Sequence, residues 1–337
     1  MSEFENSLTT NAYLFNFKSI PLLGGAPVNW LSRTRREPGW LAVSLSQTAI
    51  GYAHARRTGE GAWCVSLCGS RAVGPQGLEQ VGRALNFGRF QCTTMLDPGE
   101  YQMLLVEAPN VPLTEMKAAV RWKVKDMIDF HLDDATIDVL DIPEDPSGAN
   151  RAHSIYAIAV KNEIVQACIK RFEDAHLPLT VIDIVETAQR NLGSLYETEE
   201  RGVAMLYFAE EYGLLTITRG GELYLSRRLE IGARQILGAD GEQRDDLFNR
   251  IVLELQRTLD HFDRQFRYVS IAKLMLGPER AESGIEAFLR SNLDLPVEVV
   301  RLPEVLRFEA GTELDREGEW RMFHLLGATL RTESKVP

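Results

Sequence analysis

Two stretches of the chain repeat one arrangement of apolar and polar positions. The first begins near Leu41 with LAVSLSQTAIGYAHA and WCVSLCGS, and the second begins near Val203 with VAMLYFAEEYGLLTITRGGELYLSRRLEIG. Short apolar runs separated by turn residues predict strands. Each stretch therefore predicts a strand hairpin followed by a third strand, and helical segments come after both. The sequence predicts two similar halves.

The segment Thr114–Leu132 is the best-marked helix of the first half. Its apolar residues recur at helical spacing and form one stripe: Met116, Val120, Val124, Met127 and Ile128. Thr114 is placed to cap the N-terminus. Trp122 falls outside the stripe, so we expect a neighbouring element to cover it, the alternative being a partner contact. A longer helix is predicted at Arg244–Phe266, where apolar residues alternate at spacings of four and three.

The repeat is interrupted between its two copies. YQMLLVEAP (101–109) predicts a buried strand, and two further strands and a helix follow it before residue 181. This gives an extension (1–37), a first lobe (38–104), an inserted subdomain (105–181), a return to the first lobe (182–200), a second lobe (201–331) and a tail (332–337). Such a duplicated layout is typical of the actin and hexokinase class: two ribonuclease H-like α/β lobes facing a cleft, with an insertion in the first.

Charge and composition narrow the function classes. The chain of 337 residues carries 37 Lys and Arg against 48 Asp and Glu, a formal charge of −11. Nucleic-acid binding is disfavoured because phosphate neutralisation needs a basic excess. No run approaches the ~20 apolar residues that cross a bilayer, and no secretory signal is evident, so we expect a cytosolic protein without direct membrane insertion. The four cysteines lack zinc-site spacing and are predicted to be reduced structural thiols, and no metal site is expected.

Four stretches carry a family resemblance. They are EAPNVPLTEMKAAVRWKVKDMIDFHLDDATIDVLDIP, VIDIVETAQRNL, ITRGGELYLSRRLEIG and LELQRTLDHFDRQF. Together they resemble the PilM family of actin-like type IV pilus assembly proteins, and within it the MSHA-pilus branch, over roughly residues 40–331. The cytoplasmic region of the type II secretion L protein is built similarly.

The resemblance implies a partner and a location. It implies a scaffold on the cytoplasmic side of the inner membrane, recruited there peripherally through its partners. The scaffold would bind the cytosolic tail of a PilN-like single-pass protein and join it to the pilus assembly ATPase. We expect the first lobe and the inserted subdomain together to form a groove for such a tail, which a strand edge of the subdomain can hold through backbone hydrogen bonds. Trp122, Met127 and Phe130 are the candidate partner-binding residues.

The resemblance also implies a nucleotide site, and the sequence departs from it at three places. The first hairpin of PilM relatives reads approximately D-I-G-S-S, whose acid orders Mg²⁺, but here Ser44 stands at the acid and Ser46 at the glycine. The second hairpin, D-x-G, has Tyr207 at the acid and Ala209 at the glycine. Glu210 and Glu211 follow it, where they would repel phosphate oxygens.

The third element is a glycine pair after a strand, and it appears as Gly277-Pro278. Proline removes a backbone donor and fixes φ. We therefore expect a degenerate nucleotide site, no cofactor and no enzymatic activity. The alternative is an active actin-like ATPase, with ATP and Mg²⁺ as cofactor, that drives a conformational step in pilus assembly. P-loop, H-E-x-x-H and G-x-S-x-G motifs are absent from the sequence.

Overall fold

The computed structural model describes residues 36–46, 48–73, 77–145, 153–198 and 201–332. The predicted extension therefore lies outside the described residues up to residue 35, and the predicted tail from residue 333. The elements of the first half, in chain order, are β1 (Trp40–Leu45), β2 (Ala49–Arg57), β3 (Trp63–Ala72), α1 (Gly77–Ala84), β4 (Gln91–Met95), β5 (Tyr101–Glu107), α2 (Leu113–Lys123), β6 (Ala135–Asp141), β7 (Ser154–Lys161), α3 (Asn162–Asp174), β8 (Leu179–Asp183) and α4 (Val185–Gly193).

The second half opens with the same strand order. Its elements are β9 (Gly202–Phe208), β10 (Gly213–Arg219), β11 (Glu222–Leu229), α5 (Ala233–Gly238), α6 (Gly241–Gln265), β12 (Ile271–Leu276), α7 (Ile285–Asn292), β13 (Val297–Val299), α8 (Leu302–Val305), β14 (Leu306–Phe308) and α9 (Arg316–Thr329). None of the described helices is long and apolar enough to span a bilayer.

Two sheets whose first strands pair in the same directions with their neighbours form the two lobes. In the first sheet (order β14-β3-β2-β1-β4-β8), β1 is antiparallel to β2 and parallel to β4. In the second (order β11-β10-β9-β12-β13), β9 is antiparallel to β10 and parallel to β12. Alternate strand residues point to opposite faces: Leu41 and Val43 pack in one core cluster with Phe172 of α3, and Ala42 packs in another with Leu326 of α9. The predicted duplication into two α/β lobes is confirmed.

The inserted subdomain is built from β5, α2, β6 and β7. Its third sheet is antiparallel in the order β5-β7-β6, and α2 covers one face through Met116 and Val120. β5 is thus an edge strand on which Leu105 is 47% exposed, so the prediction of a buried strand there is wrong. The predicted boundary at residue 105 falls inside β5. The boundary at 181 falls inside β8, which pairs with β4 of the first sheet.

Helix α2 is shorter than predicted. It begins after Pro112, so Thr114 lies inside the first turn and does not cap it, and it ends at Lys123. The chain then turns, and the side-chain carbonyl of Gln102 on β5 accepts a hydrogen bond from the backbone N–H of Asp129 at 3.2 Å. This contact draws the segment after α2 toward β5 and away from a continued helix. Trp122 is 71% exposed, so the prediction that a neighbouring element covers it is wrong.

The end of the chain returns to the first lobe. Strand β14 pairs in parallel with β3, and α9 packs against β1 and β2. The predicted second lobe at 201–331 is therefore wrong beyond about residue 305. Helices α4 and α9 cross closely, because a Cβ at Gly327 would lie 2.2 Å from the Ala188 carbonyl oxygen. At this crossing the Asn191 side-chain amide donates to the Gly327 carbonyl at 3.0 Å.

Candidate functional site

A cleft of about 690 Å³ lies between the two lobes. One wall is formed by the ends of β1 and β4, the loop 96–100 and α3, and the opposite wall by the β9–β10 turn. Val185 of α4 and His324 and Leu325 of α9 also line it. Ser44, predicted at the acid position of the first hairpin, and Ala209, predicted at the glycine position of the second, are thus brought to one cavity.

Ser46 closes the first hairpin on itself. Its hydroxyl oxygen accepts from the backbone N–H of Ala49 at 2.9 Å and from that of Thr48 at 3.4 Å. The Ser46 N–H and hydroxyl both point to the Ala49 carbonyl, each at 2.9 Å. A phosphate-binding turn presents free backbone N–H groups to the ligand. In this turn the backbone N–H groups of Ser46, Thr48 and Ala49 are already engaged by a side chain and a carbonyl of the same turn.

The carboxylates of the second hairpin are held by arginines. Glu210 pairs with Arg280 at 3.2 Å and with Arg234 at 3.4 Å, and Glu211 pairs with Arg234 at 2.6 Å. Arg280 also lies over the ring of Trp320, 5.7 Å from its centroid. The rim of the cleft is therefore an ion-pair network internal to the protein.

Tyr207 is turned away from the cleft into the packing against α9. Its ring stacks on Phe323 with centroids 4.6 Å apart and an interplanar angle of 11°, and its hydroxyl donates to the Trp320 carbonyl at 2.8 Å. Burial raises the pKa of Tyr207 well above its ordinary value. A Cβ at Gly277 would lie 2.9 Å from the Tyr207 ring, so the two predicted positions are in contact.

Pro278 does not reach the cleft. It lines a separate pocket of about 470 Å³ together with Glu279 and Arg301. The Trp320 indole N–H donates to the Phe208 carbonyl at 2.7 Å. The structure therefore joins Ser44 with Ala209, joins Tyr207 with Gly277, and leaves Pro278 in a different cavity.

His324 lines the cleft and makes a polar contact with the buried side chain of Gln189. Its Nε2 is 3.0 Å from the side-chain oxygen of Gln189, whose amide donates to the Met205 and Leu214 carbonyls. Burial lowers the pKa of His324 to about 3. The imidazole is therefore neutral at physiological pH, when its N–H donates to Gln189.

The three candidate partner-binding residues differ in exposure. Trp122 is 71% and Met127 46% exposed, whereas Phe130 is half-buried with the Lys161 ammonium 6.0 Å from its ring centroid. Leu105 on β5 is 47% exposed as well. Trp122, Met127 and Leu105 are thus three exposed large apolar side chains of one small subdomain.

A buried charged cluster was not predicted from the sequence. Arg228 of β11 donates to Glu186 of α4 at 2.7 Å and to the Tyr101 hydroxyl at 2.6 Å, and Tyr101 of β5 donates to Glu186. The other Arg228 nitrogen donates to the Pro98 carbonyl at 2.8 Å. The cluster ties the inserted subdomain, the first lobe and the second lobe together. Periodicity does not signal it. Every residue of α4 is buried, whereas helical spacing places three of its polar residues on one stripe that would be expected to face solvent: Glu186, Gln189 and Arg190.

Comparisons with known proteins identify the fold. No family model matches the chain, and no curated protein matches it. A solved structure described as the PilM–PilN type IV pilus biogenesis complex shares 18% identity, with a TM-score of 0.64 over 88% of this chain and 98% of that chain. The fold is the actin-like α/β fold that the sequence predicts.

Two further structures are more distant. The cytoplasmic domain of EpsL, an inner-membrane component of the Vibrio cholerae type II secretion system, shares 12% identity over 85% of this chain and 94% of that chain, with a TM-score of 0.45. A Bacteroides thetaiotaomicron protein with an actin-like ATPase fold shares 10% identity over 82% and 95%, with a TM-score of 0.47. At these scores neither carries weight in the functional argument.

Proposed function

We propose that the chain is a non-catalytic scaffold of a type IV pilus assembly machine. It binds the cytosolic tail of a PilN-like single-pass inner-membrane protein from the cytoplasmic side and links that protein to the assembly ATPase. Within the PilM family its sequence looks most like MshI, so the machine is of the MSHA type. The observation that carries the proposal is the fold shared with the protein of the PilM–PilN complex over 98% of that chain, taken with the four resembling stretches.

Three features support the absence of catalysis. The Ser46 hydroxyl engages the Thr48 and Ala49 N–H groups of the first hairpin turn, from which a phosphate would otherwise accept hydrogen bonds. Tyr207 at the second acid position lies 5% exposed against α9, and a phenol brings no charge for Mg²⁺. Pro278 replaces a glycine and lines a different pocket. Each change removes one kind of contact that a nucleotide needs.

The tail-binding surface is proposed on the inserted subdomain beside β5. The Ala108 N–H donates to the His153 carbonyl, so β5 residues at even positions bond to β7 and those at odd positions face the free edge. Leu105 on that strand and Met127 in the segment after α2 are both nearly half exposed. An extended peptide adds to such an edge by backbone hydrogen bonds and places alternate apolar side chains in flanking pockets. Lys123 donates to the Glu107 carbonyl at 2.7 Å and marks the end of the open edge.

The test is a titration of the whole chain with a synthetic PilN-type cytosolic tail. Trp122→Ala should weaken binding by about thirtyfold, the cost of about 2 kcal/mol for removing an exposed anchor. Leu253→Ala is the matched control, because Leu253 is 45% exposed on α6 of the other lobe, and it should leave the affinity unchanged. No binding below millimolar by the intact protein would remove the proposed mechanism. Equal binding by Trp122→Ala would keep the tail and reject the residue.

An active actin-like ATPase is the second candidate, favoured by the cleft itself. Its volume of about 690 Å³ is that of a ligand site, and Ser44 and Ala209 both line it. ATP hydrolysis by the purified protein that Ser44→Ala abolishes would support this candidate and overturn the non-catalytic proposal.

A further inference from the structure

A groove of about 420 Å³ lies on the second lobe, away from the cleft. It is found where β12 begins, at Ser270 and Ile271, and where the chain approaches β13, at 293–295. β12 and β13 are parallel, so their N-terminal ends lie side by side at the same end of the sheet. The cleft between the lobes lies at the opposite, C-terminal end of these strands, where the chain leaves β9 at Ala209. The groove and the cleft are therefore separate surfaces.

Three carboxylates surround the groove without basic partners. Asp260, Asp263 and Asp294 line it and are exposed, and no lining residue is basic. Within the described part of the chain, none of the three carboxylates forms an ion pair with a lysine, arginine or histidine; Arg264 Nε instead donates to the Asp260 backbone carbonyl at 3.0 Å. By contrast, Glu254 two turns earlier on α6 pairs with Arg227 and Arg257. The groove thus holds three carboxylates that no side-chain ion pair from the described residues engages, and the Arg264 contact beside them is to a backbone carbonyl.

Two helix ends add to this negative potential. Helix α6 ends at Gln265 and α7 ends at Asn292, and both ends border the groove. The Gln256 side-chain amide donates to the Asn292 carbonyl at 3.3 Å, which holds the two helices together there. The C-terminus of a helix carries a partial negative charge that favours cations.

The floor of the groove is apolar. Its side chains are half-buried and lean on the core of the second lobe: Leu259, Ile271, Leu293 and Leu295. An apolar floor offers no ligands to a hard metal cation, because such cations are coordinated by oxygen atoms. A twofold contact with a second copy through this groove would set three aspartates against three aspartates and repel.

We propose that the groove docks a basic, apolar segment of a partner protein. One leucine, isoleucine or phenylalanine of the partner enters the floor, and lysines or arginines beside it pair with Asp260, Asp263 and Asp294. The groove lies at the opposite end of the second sheet's strands from the cleft, and outside the inserted subdomain. It can therefore be occupied at the same time as the tail-binding surface proposed above. The inference does not rest on that tail, and either can fail alone.

The experiment selects random heptapeptides displayed on phage against the full chain. Selection runs in parallel on Asp260→Asn/Asp263→Asn/Asp294→Asn. The matched control is Glu242→Gln/Asp245→Asn/Asp246→Asn, which neutralises three exposed charges at the other end of α6. The intact chain and the control should enrich peptides with an apolar residue flanked by lysine or arginine. The groove variant should not enrich them.

The most enriched peptide is then synthesised and titrated. The groove variant should weaken its binding by at least about tenfold, the control by less than about twofold, and raised salt should weaken it for the intact chain. Hydrogen exchange should slow at residues 271 and 293–295 when the peptide is bound. Equal enrichment by all three proteins would refute the proposal, as would selected peptides without basic residues. Equal binding of spermine, which has no apolar side chain, would reduce the groove to a simple cation site and also overturn it.

Discussion

Replacing Arg228 by methionine should destabilise the protein strongly. Arg228 is the cation beside Glu186, whose side chain is 2% exposed, and methionine keeps much of the arginine stem's volume while removing the charge. Removing one partner of a buried pair leaves an uncompensated charge, at a cost of about 3–5 kcal/mol. Unfolding entropy near 2.1 cal/mol/K per residue gives about 0.7 kcal/mol/K for this chain. The melting temperature should therefore fall by about 4–7 °C.

The control is the neighbouring arginine on the same strand. Arg227 points to the other face of β11, where its 58% exposed side chain pairs with Glu254 at 3.5 Å. An exposed pair contributes at most about 1 kcal/mol, so Arg227→Met should lower the melting temperature by less than about 2 °C. The comparison holds the strand, the residue type and the substitution constant.

A double-mutant cycle separates the charge from the packing. Glu186→Gln removes the anion, so Arg228→Met should cost less in that background than in the intact protein. Both melting curves are followed by far-ultraviolet circular dichroism with urea unfolding as a second measure. If Arg228→Met costs no more than Arg227→Met, or if its cost is unchanged when Glu186 is neutralised, the cluster does not stabilise the junction as argued here.

Three further outcomes are expected. Millimolar ATP with Mg²⁺ should leave the melting temperature unchanged, whereas a ligand at one hundred times its Kd would raise it by about 4 °C, so a reproducible shift lost in Ser44→Ala would contradict the degenerate site. Gly327→Ala should destabilise by about 2 kcal/mol or more, measured by urea unfolding, because its Cβ would meet the Ala188 carbonyl at 2.2 Å; a neutral effect would mean that α4 and α9 part without cost. Burial lowers the pKa of His54 to about 4 and that of His324 to about 3 from the ordinary 6.5, so the unfolded chain takes up protons first and stability falls as the pH drops from 6.5 toward 4. Each histidine should cost about 2 kcal/mol at pH 5, and the difference in stability between the intact chain and its His54→Gln variant should shrink by that amount between pH 7 and pH 5; a constant difference would refute the sign.

The sequence predicts most of the fold because both lobes are locally consistent. Alternation and turn residues mark the hairpins at Leu41 and Val203, and helical spacing marks α6, whose predicted start at Arg244 lies three residues inside the observed one. The predicted C-terminal end of α2 was wrong because the apolar stripe continues through Met127 and Ile128. In the structure the Asp129 N–H donates instead to the side chain of Gln102 on β5. A contact 27 residues away leaves no trace in the local pattern.

The sequence predicts some of the residues that line the cleft, but it does not predict the side-chain contacts that those residues make. The hairpin positions Ser44 and Ala209 follow from the family resemblance, and they do line one cleft. The arginines around Glu210 and the Tyr101–Glu186–Arg228 cluster depend on how separated segments of the chain meet. Spacing along the chain carries no information about such meetings, so these features appear only with the tertiary structure.

The return of the chain end to the first lobe has a consequence for biosynthesis. The first sheet lacks its edge strand until Leu306–Phe308 leaves the ribosome, and one face stays uncovered until α9 follows. The second lobe's sheet, whose last strand ends at Val299, has all its strands earlier although its synthesis begins later. The half that is translated first is therefore the last to be completed, and a transcript cut short before residue 306 would yield two lobes of which the earlier one is open.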